Sequence, residues 1–318
     1  MSVLNLENNV KITTFTPKPG LDPLKASDKE LALAGFPPRP TDPRLLQRYQ
    51  RFFNRVRGKF RYIEPTFRVD PTKTTHTNKG SKPGAGTETY DNWSGGVVYA
   101  PSGQSFKWVQ GDWVVPNVYA PADNQWYYCA NWIGIDGDGS GDVCQAGMIC
   151  AVYQSGTSIT RSIYPWHEWY PASWVEITNL TISPGDLISM LICTTQGAGS
   201  TEATIYFGNQ TSGVALSYVI TAPVINGVQT KLAGNSAEWV VETPIVNGQL
   251  TQMPDYGEVF FSTCEAYLTN DDVVNGGTGN NINLVQNGKT LSTGTLITPT
   301  IVQCQYAGSE PASANALA

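Results

Sequence analysis

The run Ala237-Glu238-Trp239-Val240-Val241-Glu242 reads as a strand: Glu238, Val240 and Glu242 share one face, and Trp239 and Val241 the other. Similar runs surround it. Gly96-Val97-Val98-Tyr99, Trp113-Val114-Val115, Trp132-Ile133-Gly134-Ile135, Ala203-Thr204-Ile205-Tyr206-Phe207 and Glu258-Val259-Phe260-Phe261 are short and β-rich. Turn signals such as Pro184-Gly185-Asp186 and Asn247-Gly248 separate such runs. From Tyr90 to about Tyr306 no amphipathic helix interrupts the pattern. Many short strands at this spacing predict an all-β antiparallel sandwich or barrel.

The sequence ahead of Tyr90 has a different character. Residues 1–42 are rich in Pro, Lys and Asp and end in the polyproline-like Phe36-Pro37-Pro38-Arg39-Pro40. Thr41 or Asp42 can then cap a helix whose first turn takes Pro43. Leu45, Tyr49, Phe52 and Val56 fall on one face of it, with Arg44, Arg48, Arg51, Arg55 and Arg57 around the remainder. Such a basic helix either packs locally, docks on an acidic domain or serves as a nucleic-acid arm; the acidic remainder of the chain argues against the last. Thr72-Lys73-Thr74-Thr75 through Gly84-Ala85-Gly86-Thr87 reads as an exposed linker open to proteolytic nicking.

Charge divides along the same line. Residues 1–85 carry 16 Lys+Arg against 7 Asp+Glu, and residues 86–318 carry 4 against 19. The acidic part suits low pH, where its carboxylates protonate and stop repelling one another; plain acidic solubility is the simpler reading. Six cysteines without a CxxC pair and only two histidines, His76 and His167, speak against a zinc site. One to three disulfides are compatible with six cysteines, in pairings that spacing does not choose. Residues 1–30 hold no apolar stretch of signal-peptide length, and no run approaches transmembrane length.

Four clusters hold the residues that can do chemistry: Asn92-Trp93-Ser94-Gly95-Gly96; Trp132-Ile133-Gly134-Ile135-Asp136-Gly137 followed by Cys144-Gln145-Ala146-Gly147; Trp166-His167-Glu168-Trp169-Tyr170-Pro171; and Ala237 to Glu242. In the third, Trp166, Glu168 and Tyr170 share a strand face. A carboxylate between two aromatics fits a cleft floor; it equally fits a core with a glutamate tolerated near an edge.

Together, in this order, the clusters resemble the glutamic peptidases, or eqolisins, over about residues 90–306. That resemblance implies an all-β, antiparallel two-sheet β-sandwich of concanavalin-like or jelly-roll type. It also implies a secreted endopeptidase active at acid pH, a hydrolase carried as a zymogen behind a propeptide. The family's catalytic glutamine falls on Gln145, followed by Ala146-Gly147, and its catalytic glutamate on Glu242. Trp93, Trp132, Asp136, Glu168, Trp166 and Tyr170 fall on positions that line or support the cleft. The sequence departs from the pattern at Gly139-Ser140-Gly141-Asp142, and at Ile149, where relatives often carry an acid. Counting from a neighbouring cysteine sets Cys150 at the catalytic position instead.

These residue types suit amide hydrolysis in acid. A carboxylate is the one common side chain still able to act as base there, so Glu242 is expected to activate water and then protonate the leaving nitrogen. The Gln145 amide, neutral at any pH, can donate to the oxyanion. Asp136 and Glu168 are expected to hold Gln145 and its surroundings by hydrogen bonds. No metal and no cofactor is required.

The expected organisation is a basic propeptide-like segment at 1–70 with a helix near 43–57, a flexible linker at 71–89, a β-sandwich peptidase domain at 90–307 and a loose tail at 308–318. The expected partners are protein or peptide substrates and the chain's own N-terminal segment, an intramolecular inhibitor bound electrostatically and loosened by acid. Neither nucleic acid nor membrane is expected, and the chain is read as a monomer. Three rival readings remain. Aromatic platforms beside Glu168 and Glu242 also fit a glycan-binding or glycan-hydrolysing sandwich, although a glycosidase has no use for Gln145. Ile149 and Cys150 fit a peptidase-like binding protein without activity. The third is a structural or adhesive β-domain. Asn92-Trp93-Ser94, Asn179-Leu180-Thr181 and Asn209-Gln210-Thr211 are glycosylation sequons.

Overall fold

A computed structural model describes residues 1–56, 60–75 and 86–308. Strands dominate it, in two layers. The first layer runs in spatial order Phe67–Asp70, Trp174–Ile177, Ser158–Tyr170, Val143–Ser155, Trp126–Asp136, Ser236–Glu242, Trp93–Tyr99 and Asn280–Gln286. The second runs Ser2–Asn5, Lys11–Thr14, Val214–Thr221, Glu202–Asn209, Leu187–Cys193, Phe106–Val114, Glu258–Leu268, Ile301–Tyr306 and Lys289–Thr298. Lys289–Thr298 also pairs with Asn280–Gln286 and so joins the layers. These pairings are antiparallel. Thr87–Tyr90 beside Asn280–Gln286 and Arg61–Tyr62 beside Val214–Thr221 are parallel. The fold is therefore the antiparallel β-sandwich that the strand-length runs imply.

The core follows from period-2 alternation. Ile133, Ile135, Cys144, Ala146, Met148, Trp239 and Val241 of the first layer meet Val109, Trp113, Met190, Ile192, Ile205, Phe207 and Phe261 of the second, all buried. The Trp239 indole N–H crosses the gap to the Gln110 carbonyl at 2.8 Å, which meets its one polar need in an apolar interior. All six cysteines are free and buried.

Phe36 and the helix that follows it form a third layer. Asp42 caps the helix Pro43–Val56, its Oδ1 accepting from the amides of Arg44 (2.8 Å) and Leu45 (3.2 Å). Leu45, Tyr49, Phe52 and Phe53 join Phe36 in a cluster with Trp108, Leu191, Tyr206 and Tyr267 on the outer face of the second sheet. Burying each such side chain contributes about 1.5–3 kcal/mol. Ion pairs flank the apolar patch: Arg48 with Glu265, and Arg55 with Asp112 at 3.3 Å.

The stretch read as a linker is paired at both ends. Lys73–Thr74 pairs with Ile245–Val246, and Thr87–Tyr90 lies in the first layer. Both pieces are rich in threonine, whose β-branching favours extended backbone when a partner strand is at hand. The middle of that linker (76–85, with His76), the stretch 57–59 with Arg57, and the tail from 309 lie outside the described residues.

Candidate active site

The site lies on the outer face of the first layer, opposite the core. Alternation along Ser236–Glu242 sends Trp239 and Val241 inward and Glu238, Val240 and Glu242 outward. Along Val143–Ser155 it sends Cys144, Ala146, Met148 and Cys150 inward, which leaves Gln145 and Ile149 on the site face. Cys150, the alternative catalytic position, is therefore in the core, directly across from Cys129.

Register sets the spacing. Gln145 is directly opposite Glu168 on one side and Gly134 on the other. Glycine at 134 matters because a Cβ there would come within 2.9 Å of the Trp132 ring and 3.3 Å of Gln145 Cβ. Gly95, in Trp93-Ser94-Gly95-Gly96, lets its strand approach Ser236–Glu242 closely: its φ is +146°, and an added Cβ would sit 2.0 Å from the Trp239 carbonyl oxygen.

Glu242 is fully buried. Its Oε2 accepts from the Trp132 indole N–H at 2.8 Å, and its Oε1 from the Asn92 amide at 3.2 Å and from the Thr75 hydroxyl. Burial pushes its pKa up to about 7 against the pull of those hydrogen bonds. Glu168 is also fully buried. Its Oε2 accepts from Gln145 Nε2 at 2.9 Å, and its Oε1 from the Thr74 hydroxyl at 2.8 Å. The Thr75 amide donates to both of its oxygens, at 3.4 and 3.3 Å. Burial, helped by the charge of Glu242, holds the Glu168 carboxyl well above the usual range. Gln145 Oε1 has no hydrogen-bond partner among the described residues.

Thr74 and Thr75 thus bridge the two glutamates and share Glu168 with the Gln145 amide. Pairing with Ile245–Val246 and the Asn247 amide on the Thr72 carbonyl at 2.7 Å hold them in place. Upstream, Phe67–Asp70 is an edge strand on Trp174–Ile177. From this edge strand the chain turns at residues 71–72 and brings Thr74 and Thr75 onto the site face.

The remaining candidates divide. Trp93 packs edge-on against Trp132, centroids 4.9 Å apart, and Trp166 stacks on Trp174 at 3.9 Å, so these indoles wall the site. Tyr170 sits two residues beyond Glu168, opposite Val143 and partly exposed. Asp136 does not reach Gln145. Its carboxylate takes the amides of Ala233 (2.7 Å), Gly234 (2.9 Å) and Asn235 (2.8 Å), and so anchors the approach to the strand that carries Glu242. Burial raises it to about 6. His167 faces away, its Nδ1 on the Tyr218 hydroxyl at 2.9 Å, and burial lowers its pKa to about 3. Beside the site, Glu88 and Asp138 share the hydroxyls of Tyr90 and Tyr99. Among the described residues no cluster of three or more His, Cys, Asp or Glu side chains could hold a metal ion.

Sequence reasoning passed over Asn92, Trp174, Thr74 and Thr75. Asn92 had a signal, since it opens the Asn-Trp cluster. The threonines had only linker composition, and their contacts span 94 and 167 positions of chain.

A sequence profile for the peptidase A4 family matches residues 91–306. Aspergillopepsin-2 of Aspergillus niger is 28% identical over 207 residues, which cover 58% of this chain and 67% of that protein. Scytalido-glutamic peptidase, solved with a transition state analog inhibitor, superposes with a TM-score of 0.57 at 22% identity, over 68% of this chain and 98% of its own. Aspergilloglutamic peptidase from Aspergillus niger gives a TM-score of 0.50 at 26% identity, over 57% and 99%.

Proposed function

Because the chain belongs to the peptidase A4 family and is a glutamic endopeptidase acting in acid, we propose that Glu242 and Gln145 are its catalytic pair. The observation that carries this reading is the Thr74–Thr75 corner. A stretch of extended peptide already lies against Glu242 and the Gln145–Glu168 pair, in the place a substrate would take.

In the reaction, the ionised Glu242 carboxylate takes a proton from water, and the oxygen of that water adds to the scissile carbonyl carbon. The carbonyl oxygen becomes an oxyanion, to which the Gln145 amide donates. Glu242 then returns the proton to the amide nitrogen, the C–N bond breaks, and a carboxylic acid and an amine leave. Trp132 and Asn92 hold the Glu242 oxygens, and Glu168 holds Gln145 through one N–H, which leaves the second N–H for the oxyanion. Trp93, Trp166 and Tyr170 flank the peptide. Asp136 supports the strand that bears Glu242.

The N-terminal segment keeps the enzyme closed. With Thr75 in place, Glu242 is buried, its pKa is about 7, and in acid it is protonated and cannot act as base. Departure of residues 72–75 readmits water, and the donors Trp132 and Asn92 then favour the carboxylate. The segment 1–70 acts as a propeptide, 71–89 is where it is cut, and the peptidase domain is 90–307. The substrates are protein or peptide chains, met outside the cell by a monomer.

The test is digestion of a denatured protein between about pH 2 and pH 7, with and without prior incubation in acid. Activity that appears in acid only after the chain is cut ahead of Tyr90 supports the reading. Full activity of the uncut chain refutes the closed state. Absence of cleavage in the cut chain refutes the peptidase assignment of the pair.

A further inference from the structure

The segment that covers the site also carries two cations, and both meet the same strip of the first layer. Lys73 lies two residues before Thr75. Its side chain is 14% exposed, and its Nζ stands 5.4 Å from the centroid of the Tyr164 ring while pairing with Asp70 of the same segment. Its charge also acts on the hydroxyl of Tyr128. Arg68 pairs with Glu176, whose side chain is 12% exposed and whose charge acts on Tyr164. Tyr128, Tyr164 and Glu176 stand on three different strands, with Ile149 on a fourth in the same cluster as the tyrosines.

We propose that Tyr128, Tyr164 and Glu176 form a substrate subsite that accepts a lysine or arginine side chain shortly before the scissile bond. The inference rests on the peptidase reading, with the Thr74–Thr75 peptide at the catalytic pair. The Thr75 amide, the nitrogen of that peptide bond, lies on Glu168, and the Thr75 hydroxyl lies on Glu242. Lys73 therefore marks the second residue before the bond. The Tyr164 ring offers its negative face to an ammonium, with Tyr128 beside it in the same cluster, and being neutral the ring does so throughout the acid range. Glu176 adds a formal negative charge when ionised, and it is freed from Arg68 once the segment leaves. Asp70, the other partner of Lys73, leaves with the segment, so a substrate cation would meet the tyrosines and Glu176 alone. The competing view is that Lys73 serves only its neighbour Asp70 and the rings are incidental; substrates would then gain nothing from a cation.

The experiment uses the full chain after activation in acid and two peptides that differ only in lysine or norleucine at the second residue before the cut. The lysine peptide is expected to show kcat/KM about threefold to tenfold higher, the range of a partly desolvated cation–aromatic contact. Tyr164→Leu should shrink that ratio toward one, and Tyr164→Phe should preserve it. Cuts mapped in a denatured protein should show Lys and Arg enriched at the second or third residue before the break. Equal rates for the two peptides, or enrichment after the break, would overturn the subsite while leaving the peptidase reading intact. If neither peptide nor any protein is cut, the peptidase reading fails and takes the subsite with it.

Discussion

The Gln145 amide donates to the Glu168 carboxyl across neighbouring strands, at 2.9 Å and directly in register. Two residues that a peptide mechanism would use differently are thereby locked together. Glu168 fixes the position of the Gln145 amide by accepting one of its N–H bonds. Glu168→Ala is expected to leave the fold intact and lower kcat about tenfold or more, short of the hundredfold or greater loss for removing an oxyanion donor outright. Glu168→Gln keeps a carbonyl acceptor and should lose less. A split in kcat with KM nearly unchanged, beside an unaltered circular dichroism spectrum, is the signature of positioning.

Thr75 contributes a hydroxyl to Glu242 and an amide to Glu168. Thr75→Val removes only the hydroxyl. It should shorten the lag before activity appears in acid, by about threefold to tenfold for a hydrogen bond to a buried carboxyl of roughly 1 kcal/mol. The lag is read from continuous assays started by a pH jump. An identical lag would remove Thr75 from the closed state.

Stability should follow pH in an unusual direction. Burial raises Asp136 and Asp138 to about 6 and Asp142 and Glu242 to about 7, and it holds Glu168 and Glu238 well above the ordinary range. Each has a higher pKa folded than unfolded, so the folded chain binds more protons between roughly pH 4 and these values. Stability from these groups is complete below the unfolded pKa of about 4 and is lost as pH rises through 6 and 7. His167, lowered to about 3, acts the other way below its unfolded pKa of about 6.5, and the lowered carboxyls Glu30, Asp42, Glu64 and Asp70 do so mainly below about pH 4, so between pH 4 and pH 7 the six raised groups dominate. The melting temperature of the full chain should fall from pH 4 to pH 7. A rise across that interval would contradict the protonated, buried carboxyls.

The third layer is held by apolar contacts as much as by charge, with Tyr49, Phe52 and Phe53 buried against the second sheet. Acid weakens carboxylate ion pairs in general but leaves those rings where they are. After activation residues 67–75 leave the site face while the helix stays docked, so the N-terminal fragment should co-elute with the peptidase domain on a sizing column in acid, as two chains on a denaturing gel. Phe52→Ala should cost about 3–5 kcal/mol and free the fragment. Separate elution of the unmutated fragment would mean that charge alone holds it.

How far the sequence could be read varies from residue to residue. The sandwich was legible because alternation is local: Trp239 and Val241 inward, Glu238 and Glu242 outward, can be read from six residues. The same rule separates Gln145 from Cys150, which lie on opposite faces of one strand. Glu168 beside Gln145 was foreseeable only through the family resemblance, because cross-strand register is a property of two strands and their turn. Asp136 misled, for its motif places it near the glutamine in the sequence while its carboxylate turns to amides about a hundred residues on. Thr74 and Thr75 were illegible, since a threonine-rich stretch reads as linker until a distant strand edge pairs with it.

One measurement bears most directly on the catalytic pair. Wild type, Glu242→Gln and Gln145→Ala are each activated in acid, checked for fold by circular dichroism, and compared on a denatured protein from about pH 2 to pH 7. Acid cleavage by the wild type and a loss of at least a hundredfold in each variant are expected, with folds unchanged. Cleavage at the wild-type rate by either folded variant would contradict the catalytic pair.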